Sequence, residues 1–306
     1  MEPTRPKLPS EAIQLYNLFI HGEISRRDFM DGVQRFAVGG LTAAAIVEAL
    51  MPNYAQGQQV SKTDDRIKAS YETVPSPQGN GSIKGYLVRP VSADTRSEKP
   101  SKLPGIIVVH ENRGLNPHIE DIARRLALAN FMAFAPDGLT SLGGFPGDDY
   151  RGGQMFSKID GKKMAEDFVA AAMWLKARPD CTGKIGVTGF CYGGSISNTL
   201  AYRLGPDIAA AVPFYGGPPA KDDIPKIKCG VLVHHGELDT RLAATWPAYD
   251  AALAAANVPH EGYIYPGAVH GFNCDATPER YNKAAADLAW QRTIDWFNKY
   301  VRVTAS

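Results

Sequence analysis

From Ser82 to the C-terminus, short apolar runs rich in β-branched residues alternate with longer stretches in which apolar residues recur every three or four positions. The short runs predict buried strands, and the longer stretches predict amphipathic helices. Strands are expected at 83–88 (an edge strand), 106–109, 131–135, 184–188, 209–214, 230–234 and 261–265, and helices at 119–129, 164–175, after 191, 245–257 and 290–301. Repeated strand–helix units of this length imply right-handed crossovers. They predict an α/β fold with a doubly wound, mostly parallel sheet and helices on both faces.

Residues 1–60 follow a different pattern, which predicts a helical extension before one main domain at 61–306. A first helix is expected over 11–20. A second would begin at Ser25, because Ser25 and Asp28 have the spacing of a capping box with Asp in place of the usual Glu. Apolar residues then follow at helical spacing: Phe29, Val33 and Phe36. Such an arm would pack on the main domain or on a second copy of the chain, which would make a homodimer.

Arg26-Arg27 permits a second interpretation, in which residues 1–60 are a twin-arginine export signal. A run of apolar and small residues over 36–47 follows the pair. The run is too short to span a membrane, so no transmembrane anchor is predicted. Acidic residues before the arginines and Glu48 at the end of the run disfavour export, since the leading segment of a signal is positively charged. We therefore favour the arm and a cytoplasmic protein, with periplasmic export as the alternative.

Composition and charge narrow the range of partners and cofactors. The 306 residues include 33 Lys and Arg and 32 Asp and Glu, for a net charge of +1, which gives no reason to expect a nucleic-acid partner. The four cysteines are scattered and form no Cys-x-x-Cys pair, so neither a disulfide scaffold nor a zinc site is expected. His234 and His235 adjoin on a predicted strand and should point to opposite faces. No metal and no cofactor are predicted.

The strongest chemical signal is the hexapeptide Gly189-Phe190-Cys191-Tyr192-Gly193-Gly194 between a predicted strand and a predicted helix. Glycines two before and two after a nucleophile suit a sharp strand-to-helix turn, in which a side chain would collide with neighbouring backbone. The turn would lift Cys191 above the sheet and direct the backbone N–H of Tyr192 towards a developing oxyanion. The alternative is a glycine-rich turn around an inert buried cysteine.

Two further residues support the nucleophile interpretation. Asp239 follows the strand predicted at 230–234, and His270 follows the strand predicted at 261–265. Nucleophile, acid and histidine in this chain order are typical of α/β-hydrolases, and open α/β sheets bind ligands at the carboxyl ends of their strands. His270 would take the thiol proton and later activate water, and Asp239 would orient its ring. Taken singly, Asp239 could be a turn cap and His270 a surface histidine.

With these residues in place, the sequence resembles the dienelactone hydrolase family, a branch of the α/β-hydrolase fold with a cysteine nucleophile. The resemblance covers most of residues 70–300. Its most specific part is the Gly-Phe-Cys-Tyr-Gly-Gly elbow together with two further motifs, Pro136-Asp137-Gly138 and His270-Gly271-Phe272. The resemblance implies a Cys191–Asp239–His270 triad.

The resemblance also implies roles for residues that the pattern alone does not single out. Glu111 occupies the position of a family glutamate that contacts the cysteine and influences its ionisation. The backbone N–H of Asn112 would be the second oxyanion donor beside that of Tyr192.

The substrate-binding positions depart from the family. Its members hold a substrate carboxylate with two arginines, whereas this chain has Ser141 near the first position and Asn273 and Cys274 near the second. Arg113, Arg241 and Ser141 are the candidate substrate-binding residues, although a surface ion pair is the favoured interpretation of each arginine. Neutral esters or lactones are therefore as plausible as a dienelactone.

These observations predict a cofactor-free hydrolase of carboxylic esters or lactones that acts through a thioester acyl-enzyme. The alternative function is a catalytically silent α/β-hydrolase that binds a small molecule, which the missing arginines would explain. The segment Gly143–Gly153 shows no clear secondary structure and is expected to be either a lid or a plain long loop. Cys274, four residues after His270, could border the site.

Overall fold

The structure, a computed structural model, describes residues 8–20, 22–39, 41–91 and 102–302. The helices are α1 (Ser10–Ile20), α2 (Arg26–Gln34), α3 (Ala43–Leu50), α4 (Tyr54–Gly57), α5 (Pro117–Leu128), α6 (Asp149–Phe156), α7 (Gly161–Ala177), α8 (Tyr192–Leu204), α9 (Thr240–Ala243), α10 (Trp246–Ala255) and α11 (Lys283–Tyr300). The strands are β1 (Ile67–Ser76), β2 (Gly81–Pro90), β3 (Leu103–Val109), β4 (Met132–Asp137), β5 (Cys181–Phe190), β6 (Ala210–Phe214), β7 (Gly230–Gly236) and β8 (His260–Tyr265).

The eight strands form one sheet in the order β1-β2-β4-β3-β5-β6-β7-β8. Strand β2 runs antiparallel to both β1 and β4, and the pairs from β4 to β8 are parallel. This confirms the predicted fold class. The prediction that the strand at 83–88 is an edge strand is wrong, because β1 lies outside it. Most of β1 is exposed, so it lacks the apolar alternation by which a strand is recognised.

Both faces of the sheet are covered, as the largely apolar central strands require. Successive residues of β3 enter opposite cores: Ile106 and Val108 contact the layer of α5 and α11, whereas Ile107 and Val109 contact the layer of α7, α8 and α10. The carboxyl ends of the parallel strands therefore meet at one edge, between two fixed helical layers.

Helices α1, α2 and α3, here called the N-terminal helices, share a small core of their own. The capping box that begins α2 is present, since the Ser25 hydroxyl accepts from the Asp28 backbone and the Asp28 carboxylate accepts from the Ser25 backbone. The carbonyl of Ile20, at the end of α1, accepts hydrogen bonds from Asn112 Nδ2 at 2.9 Å and Arg113 Nη2 at 2.8 Å. The N-terminal helices thus lie directly on the loop after β3.

The structure corrects the expectation that Gly143–Gly153 has no regular secondary structure. Helix α6 begins inside it at Asp149, with the Asp148 side chain accepting from the backbone at Arg151. Glycines weaken a helical pattern, so the sequence alone does not show this helix. It is held by tertiary contact, because a Cβ at Gly152 would lie 2.4 Å from the Arg113 carbonyl oxygen.

Within the described part of the chain, no helix combines the length and the apolar character needed to cross a membrane.

Candidate active site

Cys191 lies on a strained turn between β5 and α8. Its backbone has φ 55° and ψ −111°, a region that residues other than glycine rarely adopt. The flanking glycines make the turn possible, since a Cβ at Gly189 would lie 2.2 Å from the Gly193 carbonyl oxygen. The Cys191 backbone N–H donates to the Phe214 carbonyl at 3.1 Å, which ties the turn to the neighbouring strand. The thiol is consequently held above the carboxyl edge of the sheet, partly exposed, at the N-terminus of α8.

The loop after β3 is held against this turn. A Cβ at Gly193 would lie 2.3 Å from the Val109 carbonyl oxygen, so the first turn of α8 touches the end of β3. Buried His110 then fixes the loop: its Nε2 accepts from the Gly138 N–H at 2.9 Å, and its Nδ1 donates to the Glu111 carbonyl at 2.5 Å. Burial lowers the pKa of His110, which favours the neutral ring that these two hydrogen bonds require. Glu111 and Asn112 are thereby brought beside Cys191.

His270 lies between Cys191 and Asp239. Its Nδ1 is 2.5 Å from Asp239 Oδ2, and its side chain is also hydrogen-bonded to Cys191. Burial opposes the charged form of the ring, but the charge and hydrogen bond of Cys191 and the contact with Asp239 raise the pKa of His270 to about 10. Burial likewise opposes ionisation of Asp239, but its hydrogen bond and charge interaction with His270 hold its pKa below the ordinary value. The three side chains form one chain of polar contacts.

The two adjacent histidines of β7 have different surroundings. His234 Nδ1 contacts the Tyr265 hydroxyl at 2.9 Å, and its Nε2 contacts the Thr293 hydroxyl at 3.1 Å. Burial lowers the pKa of His235 to about 4, with Asp239 opposing the shift. The described residues contain no cluster of three or more His, Cys, Asp or Glu side chains placed to hold a metal ion.

A small cavity of about 10 Å³ adjoins the thiol. Its lining consists of Tyr16, Ile20, Glu111, Asn112, Arg113, Asp149, Cys191, His270 and Arg280. A volume of this size corresponds to about one water molecule. Two of these residues, Tyr16 and Ile20, belong to α1, so α1 forms part of the wall of the cavity beside the cysteine.

The sequence did not predict four residues of this lining, which are Tyr16, Ile20, Asp149 and Arg280. Arg280 is the one of these four that carries a positive charge. It is only 6% exposed, its Nε makes no hydrogen bond, and its guanidinium lies 5.4 Å from the centre of the Tyr16 ring. Burial opposes its charge, but Tyr16 and Glu111 among other neighbours raise the pKa of Arg280. A buried positive charge is therefore present in the same lining as Cys191 and Glu111.

A second cavity of about 550 Å³ lies between the N-terminal helices and the segment 148–157, and we call it the arm cavity. Tyr16, Ile20, Asn112, Arg113 and Asp149 line both cavities. Most of the other side chains that line the arm cavity are apolar or aromatic. They include Phe19, Ile24, Phe29, Met30, Val47 and Phe156.

The candidate substrate-binding residues fall in different places. Arg113 lines both cavities, whereas Ser141 and Arg241 are exposed and line neither. Cys274 is buried and outside both linings, and burial raises its pKa to about 12.

Comparisons with known proteins identify a family for this chain. The model of the "Dienelactone hydrolase family" matches residues 83–301. The chain belongs to the dienelactone hydrolase family. It is 33% identical over 256 residues to a protein of Escherichia coli O157:H7 named "Putative carboxymethylenebutenolidase", covering 79% of this chain and 90% of that one. It is also 50% identical over 120 residues to the "Putative hydrolase fragment YghX" of Escherichia coli K12, covering 39% of this chain and 97% of the fragment.

Solved structures agree with this assignment to the dienelactone hydrolase family. A "Putative Dienelactone Hydrolase" of Klebsiella pneumoniae superposes with a TM-score of 0.66 at 30% identity, covering 76% of this chain and 99% of that one. An acylaminoacyl peptidase of Pyrococcus horikoshii, at 13% identity and a TM-score of 0.57, shares the fold. As a member of the dienelactone hydrolase family, the chain is a hydrolase of the type that cleaves lactones and esters. The family model begins after the N-terminal helices.

Proposed function

We propose that the protein hydrolyses carboxylic esters or lactones through a Cys191–His270–Asp239 triad and a thioester acyl-enzyme. The observation that carries this proposal is the continuous chain of contacts from the strained Cys191 to His270 and on to Asp239. A cysteine is an effective nucleophile as its thiolate, and a protonated imidazole beside it favours that form. The pKa of about 10 for His270 supports a thiolate–imidazolium pair at neutral pH.

In the acylation step, Cys191 Sγ attacks the carbonyl carbon of the substrate and forms a C–S bond. The carbonyl oxygen becomes an oxyanion that accepts hydrogen bonds from the backbone N–H groups of Asn112 and Tyr192. When the intermediate collapses, the ester C–O bond breaks. The departing alkoxide takes the proton from His270, which leaves a thioester and a neutral imidazole.

In the deacylation step, that neutral imidazole takes a proton from water as the water oxygen attacks the thioester carbon. The C–S bond then breaks, the acid product leaves, and the thiolate–imidazolium pair is restored. The balance is one ester and one water giving one acid and one alcohol. Asp239 accepts from His270 Nδ1 throughout, so the other ring nitrogen remains directed towards the sulfur.

Glu111 is proposed as a positioning residue, because its carboxylate shares the small cavity with Cys191 and the buried Arg280. Its charge would set how strongly the thiolate is favoured, since a negative neighbour opposes ionisation and a positive neighbour supports it.

The test compares Cys191→Ala with Cys181→Ala on p-nitrophenyl acetate. Cys181 is buried at the start of β5 and lines neither cavity, so its variant should retain activity. We expect Cys191→Ala to lose activity by about 10³-fold or more, with thermal unfolding near that of the parent. Acid-quenched wild-type protein should carry one acetyl group on the peptide containing Cys191. Full activity of Cys191→Ala, or acetylation elsewhere during turnover, would refute the proposal and favour a silent binding protein.

A further inference from the structure

The small cavity beside Cys191 is too small for a substrate. About 10 Å³ accommodates one water molecule or a carbonyl oxygen, not an ester with its substituents. The rest of any substrate that reaches the thiol must therefore occupy adjoining space. The arm cavity adjoins it, because Tyr16, Ile20 and Asn112 are among the five residues that line both.

The arm cavity has the size and lining of a small-molecule site. Its volume of about 550 Å³ lies within the range of ordinary ligand pockets, which are mostly apolar with a few polar groups. Side chains from all three N-terminal helices line it, including Phe19, Met30 and Val47, and Phe156 of α6 faces them. Burying an alkyl or aryl group against such a surface is favourable because it removes apolar area from water.

The wall made by the N-terminal helices is fixed by specific contacts. The Ile20 carbonyl, at the end of α1, accepts from Asn112 and Arg113, which satisfies a carbonyl that the helix itself leaves unpaired. Arg26 of α2 lies 5.0 Å from the centre of the Tyr150 ring on α6, and the Phe19 ring stacks on the same ring at 6.1 Å. These contacts join both sides of the cavity across its rim.

We propose that the arm cavity binds the apolar substituent, alkyl or aryl, of the ester or lactone substrate, and that α1, α2 and α3 are its specificity-determining wall. The inference rests on the proposed function, since it assumes that substrate carbon reaches Cys191. It assigns the substrate class as esters or lactones with an apolar substituent larger than methyl. The N-terminal helices are then part of the enzyme's binding site.

The experiment fills the arm cavity from two different helices. Met30→Trp and Val47→Trp place a larger ring in it, and Leu18→Trp is the matched control, since Leu18 lies on α1, is 38% exposed and lines neither cavity. Activity is measured on p-nitrophenyl acetate and p-nitrophenyl hexanoate, and on methyl and hexyl acetate. The full-length chain is used, with its intact mass verified and its folding checked by circular dichroism and thermal unfolding.

We expect the ratio of kcat/KM for the longer to the shorter ester to fall about tenfold or more in both filling variants, in at least one of the two series. Leu18→Trp should leave the ratio unchanged. Because each ratio is internal to one protein sample, loss of folded protein alone does not alter it. As a separate readout, Cys191→Ala protein should bind p-nitrophenyl hexanoate in calorimetry, and its Met30→Trp derivative should bind it more weakly.

The outcomes separate the two proposals. Unchanged ratios in both filling variants, together with an inactive Cys191→Ala, would overturn the arm cavity as a binding site while leaving the triad intact. A fully active Cys191→Ala would overturn the triad itself, whatever the ratios. If kcat/KM falls by the same factor for the short and the long ester in both variants, the N-terminal helices have only a structural effect. That result would also overturn the assignment.

Discussion

The contact between the first turn of α8 and the end of β3 leaves no room for a side chain, and Gly193→Ala tests what that contact does. An added Cβ would lie 2.3 Å from the Val109 carbonyl oxygen and 2.7 Å from that of His110. Both atoms belong to backbone that cannot rotate away. The residues that follow them, Glu111 and Asn112, are a proposed positioning residue and a proposed oxyanion donor.

The size of the effect follows from these distances. An ordinary Cβ contact begins at about 3.4 Å, so the turn carrying Cys191 and the loop carrying Asn112 must separate by roughly 1 Å. A displacement of about 1 Å in a catalytic constellation costs on the order of 100-fold in rate. Overpacking of this kind also costs about 1–3 kcal/mol of stability, which lowers the melting temperature by a few degrees per kcal/mol.

The assay measures kcat/KM on p-nitrophenyl acetate well below the melting temperature, together with thermal unfolding. Gly161→Ala is the control, because a Cβ there meets nothing within 4 Å and Gly161 is the first residue of α7. That variant should keep its activity and its stability, or gain up to about 1 kcal/mol.

Parental activity and stability in Gly193→Ala would refute the reasoning, since the backbone would then have absorbed the methyl group without moving either element. A loss of stability with unchanged kcat/KM would refute the catalytic half alone. It would show that the loop and the turn do not act together in the reaction.

Three further predictions concern stability, pH and thiol reactivity. Asp121→Ala should lower the free energy of unfolding in urea by about 3–5 kcal/mol, because the carboxylate is 1% exposed and forms an ion pair with the fully buried Arg124. A loss of less than about 1 kcal/mol would contradict this prediction. The pKa of His270 is raised from 6.5 to about 10 in the folded protein, so its protonated ring contributes stability. This contribution is complete below about pH 6.5 and is lost as the pH rises to about 10. The amount by which Asp239→Asn lowers the melting temperature should therefore shrink over that pH range. A deficit that grows with pH would reverse the assigned sign. Iodoacetamide at neutral pH should label Cys191 before the three buried thiols, as peptide mass spectrometry would show; uniform labelling would count against an activated thiol.

Most of the fold is predictable from local pattern. The central strands are largely apolar, so their position between two helical layers is implied by the residues themselves. Strand β1 is missed because its side chains are largely exposed, and helix α6 because two glycines interrupt its pattern. In both cases pairing with another element, not local preference, decides the structure.

The candidate site also contains some residues that the sequence predicts and others that only the folded structure brings there. The order of Cys191, Asp239 and His270 along the chain is visible in the sequence, because each follows a recognisable strand. Arg280 lies in a loop with no pattern of its own, and only the folded chain shows that its guanidinium is buried near Cys191 and Glu111. Ser141 and Arg241 are near the site in sequence, yet both remain exposed outside its cavities.

The sequence by itself determined the parallel strands of the sheet, the elbow glycines and the residue types available for nucleophilic chemistry, since these depend on periodicity and on short-range geometry. Tertiary structure alone decided that α1 lines the small cavity beside Cys191 and that a cavity of about 550 Å³ adjoins that small cavity. Such contacts join residues far apart in the chain, between Ile20 and Arg113 or Tyr16 and Arg280. No local pattern predicts them, because each depends on how distant parts of the chain pack together.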